Sequence, residues 1–378
     1  MRSYTARDRI APPPIAQTPE LVILNQQNYE NQRVPDLVRD SRLTTHFLPS
    51  GATEHAVYRV SHQSPNRRPC RINETWYRQR ELGNGSFGCV WLERCASGPA
   101  EGKLRAVKEI RKDPSLPVPY SRELEAMAKF SHEKYVHCFV ECYGWYESEN
   151  MVFIAMEYIE YGDFQNYLNQ PFPEPRAMVI ASQLVEGLGY MHENGFAHRD
   201  LKPKNILVYQ PGPDWWVKIC DLGISKRTEQ GVTALRTEIG TEGYVAPEVI
   251  GFVPVESSSS SSDAFSYTPA VDMWALGELL FRMIAKRPVF PNRLDLFNHV
   301  VNKHPFPVPA LKATGASQDC CNFVTECMAL YPKCRLKASE AAAHPWVQTF
   351  RPSSRFSGCS SPTKSVADAT TNPGLEDR

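Results

Sequence analysis

The chain has 378 residues, and its 42 Lys+Arg are balanced by 42 Asp+Glu. That length admits two or more compact lobes, since single cores stop growing near ~250–300 residues, and the balance gives no electrostatic reason to expect nucleic acid or a membrane surface as partner. No apolar run approaches the ~18 residues that span a bilayer, Met1–Pro14 lacks a secretory apolar stretch, and eleven cysteines without a framework are expected as reduced thiols of a cytoplasmic or nuclear protein.

Residues 1–75 are polar and Pro-broken (Ala11-Pro12-Pro13-Pro14, Gln26-Gln27-Asn28), which predicts a largely disordered extension. From Trp76 the text turns to β-rich runs at Trp76–Leu82, Cys89–Cys95, Leu104–Ile110, Phe139–Glu147 and Met151–Tyr158, which predict a five-stranded antiparallel sheet. Tyr120–Phe130, rich in Glu, Ala and Met, predicts one helix between the third and fourth strands. After Gly162 the period becomes helical, with Ile180, Leu184, Leu188 and Met191 on one face. Val271–Ile284 is apolar nearly all round and is expected as a helix inside the second lobe. A Ser-rich insert over residues 256–263 and a Ser/Pro/Thr-rich tail over 351–378 complete the chain.

Three motifs carry chemistry. Gly83-Asn84-Gly85-Ser86-Phe87-Gly88, followed by Val90, is a loop whose backbone N–H groups can approach phosphate oxygens with no side chain in the way. The β-branched and aromatic run Cys89-Val90-Trp91-Leu92 makes it a strand–strand loop rather than the strand–helix turn of a dinucleotide fold. Ala106-Val107-Lys108 places a lysine on a strand among apolar neighbours, which is costly unless its ammonium meets anions. His198-Arg199-Asp200-Leu201-Lys202-Pro203-Lys204-Asn205, with Asp221-Leu222-Gly223 downstream, joins two carboxylates, an amide and a lysine in one short stretch.

Together these motifs resemble the eukaryotic-type Ser/Thr protein kinase family, nearest to its calcium/calmodulin-kinase and checkpoint-kinase branch. The resemblance implies an α+β, bilobal kinase fold over residues 76–350, with a small antiparallel β-sheet lobe carrying one helix (76–159) and a larger, mainly helical lobe (160–350). It implies ATP as phosphoryl donor, with Mg²⁺ or Mn²⁺ held by Asn205 and Asp221. Asp200 becomes the catalytic carboxylate, Lys202 the neutraliser of the moving phosphoryl, and Lys108 the phosphate anchor, paired with Glu123. Leu82, Gly83, Asn84, Gly85, Ser86, Phe87, Gly88, Val90 and Ala106 fall in the nucleotide-binding positions, as do Met156, Glu157 and Ile159 of the hinge and Asp163 at the ribose. Ala246-Pro247-Glu248 and Arg335 match the pair that closes the activation segment, and Asp272 matches the buried aspartate that holds the catalytic loop.

Lys202 and Gly240-Thr241-Glu242-Gly243-Tyr244 imply protein substrates with Ser/Thr acceptors, and Ile224 a preference for Thr. Lys204 replaces a Glu common in basophilic kinases, which argues against Arg-directed substrates. Arg199, before the catalytic Asp, implies activation by a phosphate on Thr237 from an upstream kinase. The chain is expected to act as a monomer or transient dimer, with no nucleic acid or membrane partner. A scaffolding pseudokinase is the alternative from another class, and retention of Lys108, Asp200 and Asp221 argues against it. His132, His137, Cys138 and Cys142 are read as structural, on the expectation that His137 and Cys138 point to opposite faces of a strand.

Overall fold

The computed structural model describes residues 36–60, 69–85, 88–112, 121–170, 172–222, 243–253 and 268–349. Ser86, Phe87, Ile224, Thr237, the Ser-rich insert and the tail lie outside the described residues, as does the side chain of Glu123. Two compact units emerge, one from residues up to Lys129 together with Cys142–Met156, the other from Phe130–Glu141 together with Glu157 onward.

The first unit contains α1 (Asp36–Asp40), β1 (Thr44–Phe47), β2 (Thr53–Val60), β3 (Pro69–Gly85), β4 (Gly88–Ser97), β5 (Leu104–Arg111), most of α2 (Ser121–Phe130), β6 (Cys142–Glu147) and most of β7 (Met151–Glu157). The sheet has seven strands in the order β1-β2-β3-β4-β5-β7-β6. Residues just before β1 return to the far edge, where Arg42 bridges Trp145, Leu43 N donates to Trp145 O (2.7 Å) and Trp145 N donates to Ser41 O (3.2 Å). The strands therefore form a closed ring. Residues 36–60 and 69–75 were expected in a disordered extension and are instead a helix, a hairpin and the start of β3. The physical reason lies in their inward positions: Thr53, His55 and Glu74 are buried polar groups, so the alternation that announces a strand is not hydrophobic. The fourth expected strand, Phe139–Glu147, also shortens: β6 begins at Cys142, and Phe139 makes only an isolated bridge to Ile219.

Inside the ring, Val107, Tyr146, Phe153 and Ala155 pack with Leu43 and Met151. Phe47 from β1 reaches the same rings, 6.0 Å from Tyr146 and 5.7 Å from Phe153 between centroids. Pairing of β4 with β5 sets Val90 opposite Lys108, Leu92 opposite Ala106 and Glu93 opposite Arg105. Strand alternation thus puts Ala106 and Lys108 on one face of β5, and Arg105 and Val107 on the other.

The second unit is helical around a two-stranded ribbon of β8 (Ile206–Gln210) and β9 (Trp216–Ile219). Its helices are α3 (Glu174–Glu193), α4 (Ala270–Ala285), α5 (Arg293–Val300), α6 (Val308–Lys312), α7 (Gln318–Cys327), α8 (Ala338–Ala343) and α9 (Pro345–Gln348). The apolar stripe Ile180, Leu184, Leu188 and Met191 of α3 is buried as its spacing predicts. α4 is buried on nearly every side and stops at Lys286, whose left-handed conformation (φ 56°) ends the helix. Gly277 is where α4 meets the end of α7: a Cβ there would lie 2.4 Å from Met328 Cγ.

Candidate active site

In the helical unit the octapeptide His198–Asn205 is fixed from below by Asp272 near the start of α4. Asp272 Oδ2 accepts from His198 N (2.8 Å) and His192 Nε2 (2.9 Å), and Oδ1 accepts from Arg199 N (2.7 Å). Burial alone would raise this carboxyl's pKa, but the His192 bond and charge, with the backbone donors, outweigh it and hold the group below the usual carboxylate range. The anchored backbone is strained. Arg199 (φ 65°) and Asp221 (φ 55°) both occupy the left-handed region, which costs on the order of 1–3 kcal/mol for a non-glycine residue.

His198 locks the other side of the loop. Its Nε2 faces Cys220 O (3.0 Å), an acceptor, so Nε2 carries the proton, and Nδ1 accepts from Asp200 N (3.3 Å). Asp200 Oδ2 receives Lys202 Nζ (2.8 Å) and Asn205 Nδ2 (3.2 Å), and Nδ2 also donates to Asp200 O (2.7 Å). The amide nitrogen of Asn205 is thereby committed to Asp200, which leaves Oδ1 as the oxygen for a cation. Cys220 N donates to Asn205 O (2.9 Å), tying the segment that ends in Asp221 to the same loop. An amide oxygen and a carboxylate are hard donors, and they suit Mg²⁺ or Mn²⁺.

Asp163 precedes a short 3₁₀ turn (Phe164–Tyr167) and accepts from Gln165 N (3.0 Å); its bridge to Leu207 sets it beside β8. Burial raises its carboxyl pKa. Glu157 carries a partner that the sequence did not announce. Buried Lys218 on β9, three residues before Asp221, reaches Glu157 Oε2 (2.7 Å), which also accepts from Glu141 N (3.3 Å). The side chain of Glu157 is thus engaged, and its N–H is too, donating to Glu141 O (2.9 Å). Ile159 is buried and Met156 is half-buried. Glu248 and Arg335 form a bidentate pair, both N···O distances 2.6 Å, with Arg335 also stacked 5.0 Å from Trp274.

In the sheet unit, Gly83, Asn84 and Gly85 form the end of β3, and Gly85 pairs with Gly88 at the start of β4. Gly88 (φ 120°) tolerates no side chain, because a Cβ would lie 1.8 Å from Glu109 O. Lys108 is buried on β5 with Ala106 two residues before it on the same face, while Leu82 and Val90 are half-buried on β3 and β4. His137 and Cys138 depart from expectation: they lie in the turn at 133–138, and His137, Cys138 and Glu186 bring their ligand atoms within 4.8 Å of one another. His137 Nε2 is bonded to Glu186 Oε1 (3.1 Å), and burial raises the Cys138 thiol's pKa, so these contacts are already those of a packed surface turn.

A two-lobed fold, a glycine turn joined to a strand lysine and an Asp-Lys-Asn loop moored on a buried Asp define a protein kinase catalytic domain. The protein kinase domain family model matches residues 76–347. The chain belongs to that family and, within it, to the Ser/Thr protein kinases. It is 31% identical over 281 residues to the Serine/threonine-protein kinase cds1 of Schizosaccharomyces pombe, covering 71% of this chain and 58% of that protein. It is 31% identical over 283 residues to Calcium/calmodulin-dependent protein kinase type 1 of Caenorhabditis elegans, covering 73% and 75% respectively. Among solved structures, Rad53 1-466 in complex with AMP-PNP superposes with a TM-score of 0.57 at 28% identity, over 71% of this chain and 64% of that one. The branch suggested by the motifs is the one to which these relatives belong. No helix among the described residues is long and apolar enough to cross a membrane.

Proposed function

We propose that this chain is an active kinase that transfers the γ-phosphoryl of MgATP to Ser/Thr hydroxyls of cytoplasmic or nuclear proteins. The observation that carries the reading is the Asp200–Lys202–Asn205 cluster on a strained loop moored by Asp272. Phosphoryl transfer asks a protein mainly for positioning and charge, and this loop supplies both. Asp200 Oδ2 is occupied by Lys202 and Asn205, so the carboxylate is held in orientation to accept the acceptor hydroxyl's proton. Lys202 offsets negative charge beside it. Asn205 Oδ1 and Asp221 hold Mg²⁺, which when bound neutralises phosphate charge. Lys108 and the backbone of Gly83–Gly88 hold the phosphates, Met156–Ile159 takes the adenine, and Asp163 takes the ribose. Phosphorylation of Thr237 by an upstream kinase supplies Arg199 with an anionic partner and raises activity.

The test uses purified full-length chain, radiolabelled ATP, Mg²⁺ and a generic protein substrate. Asp200→Asn is expected to lose transfer by ~10²–10⁴-fold while still binding ATP, as removal of a general base does. Binding of ATP without transfer by the wild type, before and after phosphorylation of Thr237, would overturn the active-kinase reading and favour a scaffold.

A further inference from the structure

The family match begins at residue 76, yet the sheet continues beyond it. β2 is paired with β3 from Thr53↔Trp76 to Val60↔Pro69, and residues 41–43 reach β6. These added strands bring polar side chains against the face of β5 opposite Lys108. Arg105 Nε and Nη2 donate to Glu93 Oε2 (2.9 and 2.7 Å), and the guanidinium lies 4.1 Å from the Trp76 ring centroid. Arg105 Nη2 also meets His55 Nε2 (2.8 Å). Arginine is an obligate donor, so His55 Nε2 accepts and the ring's proton rests on Nδ1. That proton goes to Thr45 Oγ1 (2.8 Å), and the Thr45 hydroxyl donates in turn to Leu43 O (3.2 Å). Leu43 N closes the path by donating to Trp145 O (2.7 Å).

Each link has one donor and one acceptor, so the relay runs in a single sense from β5 through β2 and β1 to β6. It requires a neutral imidazole. Burial, and then the charge of Arg105, lower the His55 pKa to about 3, which supplies one. Arg105, Glu93 and His55 are at most 3% exposed. A buried ion pair adds little stability over well-packed apolar groups, and its best-attested use is to fix register. The strand registered here is β5, on which Arg105 and Lys108 are three positions apart.

We propose that His55, with Thr45, is a positioning residue for Lys108: the hairpin preceding the family's own boundary holds Arg105 and so fixes β5, the strand that presents the phosphate anchor. The inference rests on reading Lys108 as that anchor. A displacement of ~1 Å at such a group costs up to ~10²-fold in a reaction.

The test compares full-length wild type, His55→Leu, Thr45→Val and Thr45→Ser, each shown to be folded by near-UV circular dichroism at the assay temperature. Binding of AMP-PNP with Mg²⁺ and the KM values for ATP and for a protein substrate are measured. His55→Leu is expected to weaken AMP-PNP binding and raise the ATP KM by at least about fivefold, with the protein-substrate KM within about twofold. Thr45→Val shifts in the same direction by less, and Thr45→Ser restores wild-type values. If His55→Leu does not fold, the Thr45→Val and Thr45→Ser pair decides. Folded variants that bind AMP-PNP as the wild type does would overturn the positioning role alone. A wild type that binds no AMP-PNP would overturn the role of Lys108, and this inference with it.

Discussion

Replacing Asp272 by Asn removes one acceptor oxygen from a carboxylate that serves three N–H donors. An amide oxygen kept on His198 N and His192 Nε2 turns the new NH₂ group toward Arg199 N, donor against donor. The lost charge-assisted bond is worth ~1.5–3 kcal/mol. It is also the bond that holds Arg199 at φ 65°, so relaxation of the loop recovers part of the ~1–3 kcal/mol of backbone strain and offsets part of that loss. A net loss of ~1–2 kcal/mol lowers the melting temperature by ~2–8 °C in a domain of this size. Asp200 follows Arg199 directly, and relaxation by ~1 Å there should reduce kcat about 10²-fold. Thermal unfolding and steady-state transfer on the full chain read both effects. A variant melting within a degree of wild type with unchanged kcat would refute the claim that Asp272 stores and directs the strain of this loop.

Arg335→Lys cannot reproduce the two parallel bonds to Glu248 together with those to Ala329 O and Leu330 O, and should cost about 2–3 kcal/mol in urea unfolding. Gly277→Ala drives a Cβ to 2.4 Å from Met328 Cγ in a packed interior, and a loss of ~1–3 kcal/mol by the same measurement is expected. Acid should weaken the sheet unit through His55, which is faced by Arg105, by Thr45 and by the Tyr146 ring. Its folded pKa of about 3 lies below the unfolded 6.5, so its contribution is complete above pH 6.5 and is lost as pH falls from 6.5 toward 3. The slope is at most ~1.4 kcal/mol per pH unit, and melting curves between pH 7 and 4 should be flatter for His55→Gln than for the wild type.

The clustering of Asp200, Lys202 and Asn205 could be read from the sequence because they lie within six residues and meet in space through local turns. The spacing of Ile180, Leu184, Leu188 and Met191 likewise carried the buried face of α3. Long-range polar pairs leave no such trace. Lys218 and Glu157 are far apart in the chain, and nothing in either neighbourhood names the other. The hairpin β1–β2 was missed for a related reason: its inward Thr53 and His55 are satisfied by Arg105, so burial there does not select apolar residues. His137 and Cys138 were misplaced because a strand was extended through a turn, which reverses the inference from alternation.

Closure of the sheet also has an order in time. The bridge that completes the ring joins Arg42 to Trp145, about 100 residues later in the chain. At ~5–20 residues per second of synthesis, β1 and β2 wait roughly 5–20 s for the edge that receives them. An isolated two-stranded hairpin is marginal in water, and its polar inward side chains have little to collapse upon before Arg105 arrives. The hairpin made before the rest of the described sheet is therefore fully docked only once β6 has arrived.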